Sequence, residues 1–133
     1  MKRSSTLFII ISLLALGIVI TWFYINQPVE KVENVQGIKV PAATLANAYT
    51  ENEKTANAQY INKALEVTGI VAEISKNQDG KTVVLLEAND PMSGVQCTMR
   101  EAKKIPAVGE RVSIKGFCNG YTIVVLLSDC VFI

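Results

Sequence analysis

The sequence predicts an N-terminal transmembrane helix followed by one mainly-β domain. Three observations predict this fold class: an uncharged apolar run near the N-terminus, apolar residues at every second position after Ala64, and turn residues between those later segments. The chain of 133 residues has room for one domain beside the apolar run. We expect a cytoplasmic start at residues 1–6, a membrane anchor at 7–25, a linker at 26–41 and a folded domain at 42–133.

The apolar run at residues 7–25 has the length of a membrane-spanning helix. Its nineteen residues would span about 28 Å as a helix, close to the hydrocarbon thickness of a bilayer. The alternative is a cleaved signal peptide, but such a peptide ends its apolar region at small residues, and this run ends in aromatic residues from Trp22 to Tyr24. No cysteine stands directly after the run, which argues against a lipid-modified start.

The charges that flank the run predict its orientation. Lys2 and Arg3 precede it, whereas the residues that follow it are balanced in charge. Because positive flanks stay inside, the N-terminus should be cytoplasmic and the domain extracytoplasmic, in a bacterial periplasm or at the cell surface. Residues 26–41 are polar and bounded by prolines, so we expect them to form a semi-extended tether.

A helix is predicted at residues 44–63, because apolar residues recur there at spacings of three and four, and Thr44 can cap its N-terminus. Its apolar stripe should pack on the domain itself; a helix that binds a partner is the alternative. The period then changes to two. Strands are predicted from Ala64 to Ile74 with a change of phase at Gly69, and at residues 82–88, 95–99, 111–118 and 123–133.

Turns at Asn77–Gly80 and Asn119–Gly120 separate these strands, and residues 101–108 form a short connection with room for one helical turn. Five strands with a bent first strand indicate a five-stranded Greek-key barrel of the oligonucleotide/oligosaccharide-binding (OB) type. The N-terminal helix should pack on this barrel and close one end with Tyr49 and Tyr60.

Several short motifs carry a family resemblance. They are Tyr60-x-x-Lys63-x-Leu65-x-Val67-x-Gly69-x-Val71-x-x-Ile74, Gly94-Val95-Gln96-Cys97, Gly109-x-x-Val112-x-Ile114-Lys115-Gly116-x-Cys118-x-Gly120-Tyr121 and Val125-x-Leu127-x-x-Cys130. In this order they resemble the "tRNA anticodon-like" OB-fold family over residues 43–133. Three residues depart from the pattern: Asn62 replaces a common glycine, Met99 a common aromatic residue and Val124 a frequent aspartate. The resemblance implies an exported bacterial OB-fold protein with no catalytic role.

Composition excludes several kinds of chemistry. The chain has no histidine, which removes the commonest general base and the commonest metal ligand. We therefore expect no enzyme, no metal site and no cofactor. The net charge is +1, and it falls to −1 without Lys2 and Arg3. Nucleic-acid binders usually carry a basic excess, so nucleic acid is not an expected partner.

The three cysteines, Cys97, Cys118 and Cys130, are open to several interpretations. One disulfide or three buried core residues is the structural one, and a metal site or a thiol redox centre is the alternative. Cys97 shares strand parity with Val95 and Met99, Cys118 with Val112 and Ile114, and Cys130 with Leu126 and Phe132. In an OB barrel the third and fifth strands run parallel, so we expect a Cys97–Cys130 disulfide, with Cys97–Cys118 as the alternative.

The predicted function is a binding module that recognises a protein or glycan of the cell envelope. A nucleic-acid-binding OB domain is the second hypothesis, and a thiol-dependent enzyme is a distant third. The candidate ligand face is formed by Lys81, Gln96, Thr98 and Arg100, which offers no aromatic side chain for base stacking. The sequence leaves the partner and the oligomeric state open.

Overall fold

A computed structural model of the chain describes residues 2–28 and 30–133. The chain divides into two units, one up to Glu30 and one from Lys31 to Ile133, and each is considered by itself. The side chains of Lys2 and Arg3, on which the predicted orientation depends, lie outside the described residues, as does Val29 of the predicted linker.

The first unit contains the predicted apolar helix, α1, which extends from Lys2 to Ile25. Its segment Ser4–Ile25 has a mean hydropathy of 2.5 and is long and apolar enough to cross a membrane. Length and composition do not separate a membrane anchor from a signal sequence, because both kinds of segment share them.

The second unit is a small barrel with two helices. Its elements are β1 (Ile38–Pro41), α2 (Ala42–Glu51), α3 (Glu53–Tyr60), β2 (Ala64–Lys76), β3 (Thr82–Glu87), β4 (Gly94–Met99), β5 (Arg111–Tyr121) and β6 (Val125–Phe132). The strand order is β1-β2-β3-β4-β6-β5, and pairing of β2 with β5 closes a five-stranded barrel. β4 and β6 run parallel, as expected for an OB fold. The predicted fold class is confirmed.

The predicted tether is partly folded. A short 3-10 helix occupies Val32–Asn34, and β1 pairs in parallel with the start of β2, from Ile38 beside Leu65 to Pro41 beside Thr68. Val32 and Val40 are buried, so these two valines of the segment pack on the folded unit. We call residues 31–41 the strap.

The single predicted helix is two helices. α2 begins at Ala42 directly after Pro41, so Thr44 is not its N-cap. Asn52 has an extended backbone, and its side-chain oxygen accepts a hydrogen bond from the Thr55 amide. Asn52 therefore ends α2 and caps α3, because asparagine is a strong N-capping residue that competes with a continuous helix. The predicted apolar stripe does face the barrel and includes buried Leu45, Tyr49, Ala56 and Tyr60.

The first barrel strand keeps one phase past Gly69, where the sequence predicted a change. Leu65, Val67 and Val71 are all fully buried on one face of β2, and the register shifts only between Val71 and Glu73. Gly69 serves a different purpose, since a Cβ there would lie 2.9 Å from the Ala42 Cβ. The missing side chain lets the start of α2 approach the strand.

The last hairpin also differs from its prediction. β5 continues through Asn119 and Gly120, and the turn lies at Thr122, where the Thr122 amide donates to the Val124 carbonyl. β6 changes phase at Asp129, a bulge residue with a φ of 53°. Cys130 is therefore buried together with Val125 and Leu127, and the predicted parity with Leu126 was wrong. The connection between β4 and β5 is irregular and has no helical turn.

Candidate ligand-binding surfaces

The three cysteines lie in the barrel core as free, fully buried thiols. Cys97 pairs in register with Leu127, and Cys130 pairs with Met99. The pKa of the Cys97 thiol is raised, mainly by a hydrogen bond with the Cys130 thiol and secondly by burial. The structure thus brings Cys97 and Cys130 together as the sequence predicted.

The Cys97–Cys130 disulfide itself stays a prediction. Cys130 lies opposite Met99, which is two residues along β4 from Cys97. This offset and one strand spacing together place the Cα atoms of Cys97 and Cys130 about 8 Å apart. Disulfides usually join Cα atoms about 4.4–6.8 Å apart. Closing the bond would require β4 and β6 to slide along each other, because the excess distance lies along the strands. The remaining thiol, Cys118, lies with its Sγ 3.3 Å from the hydroxyl of Tyr49.

Reactive cysteines are partly exposed and have a lowered pKa. All three thiols here are shielded from solvent, and the pKa of Cys97 is raised. These surroundings are those of core residues and give no support to thiol catalysis. Among the described residues, no group of three His, Cys, Asp or Glu side chains could hold a metal ion.

The predicted ligand face lies on the outside of β3 and β4. Gln96 and Thr98 are half-buried and stand beside Leu85 and Val83 of β3. Lys81 is exposed just before β3. The structure therefore places Lys81, Gln96, Thr98 and Arg100 along one part of the barrel wall, but it does not leave all four free.

Arg100 is held between two carboxylates. Its Nη1 donates to both carboxylate oxygens of Glu33, at 2.7 and 3.0 Å. Its Nε donates to Asp129 Oδ1 at 2.6 Å, and its Nη2 donates to Asp129 Oδ2. These bonds raise the pKa of Arg100. The bonds to Arg100 hold the pKa of Asp129 below its ordinary value, and Lys81 lowers it further.

Glu33 also has a lowered pKa. The largest cause is a hydrogen bond from its own backbone amide to its carboxylate, and the next is the hydrogen bond from Arg100. The folded state therefore favours the charged form of both carboxylates. Their contribution to stability is present at neutral pH and is lost as pH falls below their ordinary pKa values of 4.5 and 3.8.

This arrangement ties the strap to the predicted ligand face. The 3-10 helix of the strap contacts β5 and β6, and Val32 within it has no exposed surface. The next residue, Glu33, forms an ion pair with Arg100. Sequence reasoning missed Glu33 and Asp129 as partners of Arg100, because neither is close to it in the chain and the bulge at Asp129 gives no periodic signal.

A second surface, which the sequence did not single out, lies across β2 and β5. It is an open groove with a volume of about 510 Å³. We call it the Ser113 groove. Its lining residues are Thr68, Lys104, Pro106, Glu110, Arg111, Val112, Ser113, Phe132 and Ile133. A continuation toward the strap shares Thr68 and Ser113 and adds Lys39 and Glu66.

Together, a closed five-stranded barrel, the parallel pairing of β4 with β6 and the helices packed on the barrel define an OB fold. The chain belongs to the tRNA_anti-like family, whose model matches residues 1–131. The match extends beyond the region from residue 43 on which the sequence resemblance rested, and it includes the apolar helix.

One solved structure shows the same fold. It is the crystal structure of a "putative nucleic acid-binding lipoprotein" from Klebsiella pneumoniae subsp. pneumoniae MGH 78578. The TM-score is 0.58 at 18% sequence identity, and the similarity covers 80% of this chain and 99% of the Klebsiella chain. At this identity the likeness concerns the fold alone. No curated protein matches the chain in sequence.

Proposed function

We propose that this protein is a membrane-anchored binding module whose OB-fold barrel lies outside the cytoplasm and recognises a protein or glycan of the cell envelope. In this function α1 is a retained anchor, and no cofactor or catalytic step is involved. The aromatic end of the apolar run, from Trp22 to Tyr24, supports the anchor, because a cleaved signal peptide ends its apolar region at small residues. The barrel-wall surfaces support binding, since OB folds bind their ligands on the outside of the barrel.

The charge balance of the folded unit carries the choice of ligand. Residues 31–133 contain eleven basic and eleven acidic residues, so their net charge is zero. The principal cation of the predicted face, Arg100, is bound by Glu33 and Asp129. Of the two cations on this face, only Lys81 then remains unpaired among the described residues, which is little of the positive charge on which phosphate binding depends. A protein or glycan suits such a surface better than a nucleic acid.

The anchor and its orientation can be tested in cells that produce the full-length protein. We expect the protein to remain in membranes after an alkaline wash, because a spanning helix is held by the bilayer core. Protease added to the outside of spheroplasts should digest the barrel, and protease should reach it only from that side. A mature soluble form beginning after Ile25, or a barrel protected until the cells are lysed, would contradict the proposal.

Nucleic-acid binding is the second candidate, because the Klebsiella protein of the same fold is described as a nucleic acid-binding lipoprotein. That description runs against our expectation and makes the hypothesis worth a direct measurement. In its favour, Lys81, Gln96 and Thr98 lie together on the barrel wall. Against it, β4 carries no aromatic residue on which bases could stack.

Fluorescence anisotropy with labelled single-stranded RNA and DNA, using the full-length protein in detergent micelles, separates the two candidates. Non-specific binders have dissociation constants of about 10⁻⁴–10⁻⁶ M at physiological salt. We expect no saturable binding in that range. Tight, salt-dependent binding that is weakened by Lys81→Gln would replace our proposal with the nucleic-acid one.

A further inference from the structure

The floor of the Ser113 groove is a pair of hydroxyl groups. Thr68 on β2 and Ser113 on β5 are direct cross-strand neighbours, and their side-chain oxygens lie 3.0 Å apart. Two hydroxyls offer two donors and four acceptor positions, and the bond between them uses one of each. One donor and three acceptor positions therefore remain for a ligand that itself carries hydroxyl groups.

The rim of the groove carries unpaired positive charge. Arg111 and Lys104 make no ion pair among the described residues. The carboxylate of Glu110 also lines the groove, and its Oε2 accepts a hydrogen bond from the Ala107 amide at 3.0 Å; two cations and one carboxylate leave this part of the groove with a net charge of +1. This rim differs from the β3–β4 face, where Arg100 is bound by two carboxylates, and it matches a ligand with negative charge.

The groove also has an apolar wall. Pro106, Val112 and Phe132 line it, and since Val112 and Phe132 also pack against the barrel core, only part of each of these two side chains faces the groove. The C–H faces of a pyranose ring pack on such a wall while its hydroxyls bond to polar groups. Hydroxyls, apolar surface and free cations thus meet in one open site of about 510 Å³.

The backbone of the floor argues against an extended peptide. A peptide that adds a strand needs unpaired backbone groups at a sheet edge. β2 and β5 pair with each other from Ala64 beside Phe117 to Ile70 beside Arg111. The Ser113 carbonyl also accepts a hydrogen bond from the Ile133 amide. The floor therefore presents side chains rather than a free edge.

We propose that the Ser113 groove binds an acidic saccharide, with Arg111 and Lys104 on the carboxylate and the Thr68–Ser113 pair on ring hydroxyls. This inference rests on the proposed function and specifies its ligand class. It assigns recognition to the β2–β5 surface, away from the predicted face at Gln96 and Thr98.

The test uses full-length protein in lipid nanodiscs and isothermal titration calorimetry. The probes are a trisaccharide of galacturonic acid and a neutral galactose trisaccharide of the same linkage. We expect the acidic probe to bind at least tenfold tighter. Arg111→Gln should weaken its binding about tenfold, since hydrogen bonds to charged groups are the stronger ones. Lys115→Gln removes a cation from the same strand that does not line the groove, and it should leave binding unchanged.

Ser113→Ala gives a second measure, because it removes one hydroxyl and leaves the charges in place; we expect a loss of about threefold to tenfold. Binding that survives Arg111→Gln, or equal competition by hexaglutamate, would overturn the saccharide site. So would the failure of both sugars to bind. These results leave the proposed function standing if the barrel is extracytoplasmic and does not bind nucleic acid, so the two failures are distinguishable.

Discussion

Replacing Tyr49 by alanine is expected to destabilise the folded unit by about 3–5 kcal/mol, the usual range for removing a large aromatic side chain from a core. Tyr49 is only 1% exposed and is the largest fully buried side chain among the described residues. Its ring stacks on Tyr121 with centroids 5.6 Å apart and lies 6.3 Å from the ring of Tyr60. The substitution would open a cavity between α2, α3 and β5.

The buried thiols supply the measurement. Because Cys97 and Cys130 are shielded in the folded barrel, their alkylation in protein kept reduced with a phosphine reports unfolding at increasing urea concentration, even while α1 remains in detergent. Tyr49→Phe is the matched control, since it keeps the ring and removes only the hydroxyl near Cys118; it should cost about 1 kcal/mol. If the urea midpoint of Tyr49→Ala were close to that of Tyr49→Phe, α2 would contact the barrel without contributing much to its stability.

The barrel was predictable because its signals are local and repeated. Alternating apolar residues marked the strands, and helical spacing marked the face that carries Tyr49 and Tyr60. Even one departure from the family pattern has a simple physical reason. Asn62 has a φ of 60°, a left-handed conformation that glycine adopts freely and asparagine tolerates better than most residues. The sequence therefore does carry a signal for that turn, as an asparagine at the position where the family commonly has a glycine.

The strap was not predictable by the same means. Its buried residues, Val32 and Val40, form no period of two or of 3.6, because the apolar residues between them, Val35 and Ile38, are only half-buried and exposed, respectively. β1 exists only because Ile38–Pro41 finds the free side of β2, a pairing that is not local in the chain. The phase change assigned to Gly69 failed for a related reason, because the close approach of Ala42 rather than a bend explains the glycine.

Site residues were predicted in part. The outward parity of Gln96, Thr98 and Arg100 followed from their alternation with the buried side of β4. The neutralisation of Arg100 did not, since it requires Glu33 from the strap and the bulged Asp129 of β6. The Thr68–Ser113 pair was equally hidden, because two hydroxyls become a site only when the register of β2 and β5 places them together.

Removing the strap should have an even larger effect than Tyr49→Ala. A soluble fragment of residues 31–133 keeps the strap, and one of residues 42–133 begins at the predicted domain boundary. The shorter fragment loses the burial of Val32 and Val40, worth about 1.5–3 kcal/mol each, together with the β1 pairing and the Glu33–Arg100 bond. Since small domains are stable by only about 5–15 kcal/mol, it should be largely unfolded or strongly destabilised.

Urea-dependent alkylation of Cys97 and Cys130 in the two fragments measures the difference, and point variants of the longer fragment locate its source. Val32→Asp should reproduce much of the loss, because it forces an unpaired carboxylate into a fully buried position. Glu33→Gln should change the midpoint only slightly, since exposed ion pairs contribute little. Equal stability of the two fragments would mean that the strap merely lies on β2, β5 and β6, and that the barrel begins at residue 42 as its sequence first indicated.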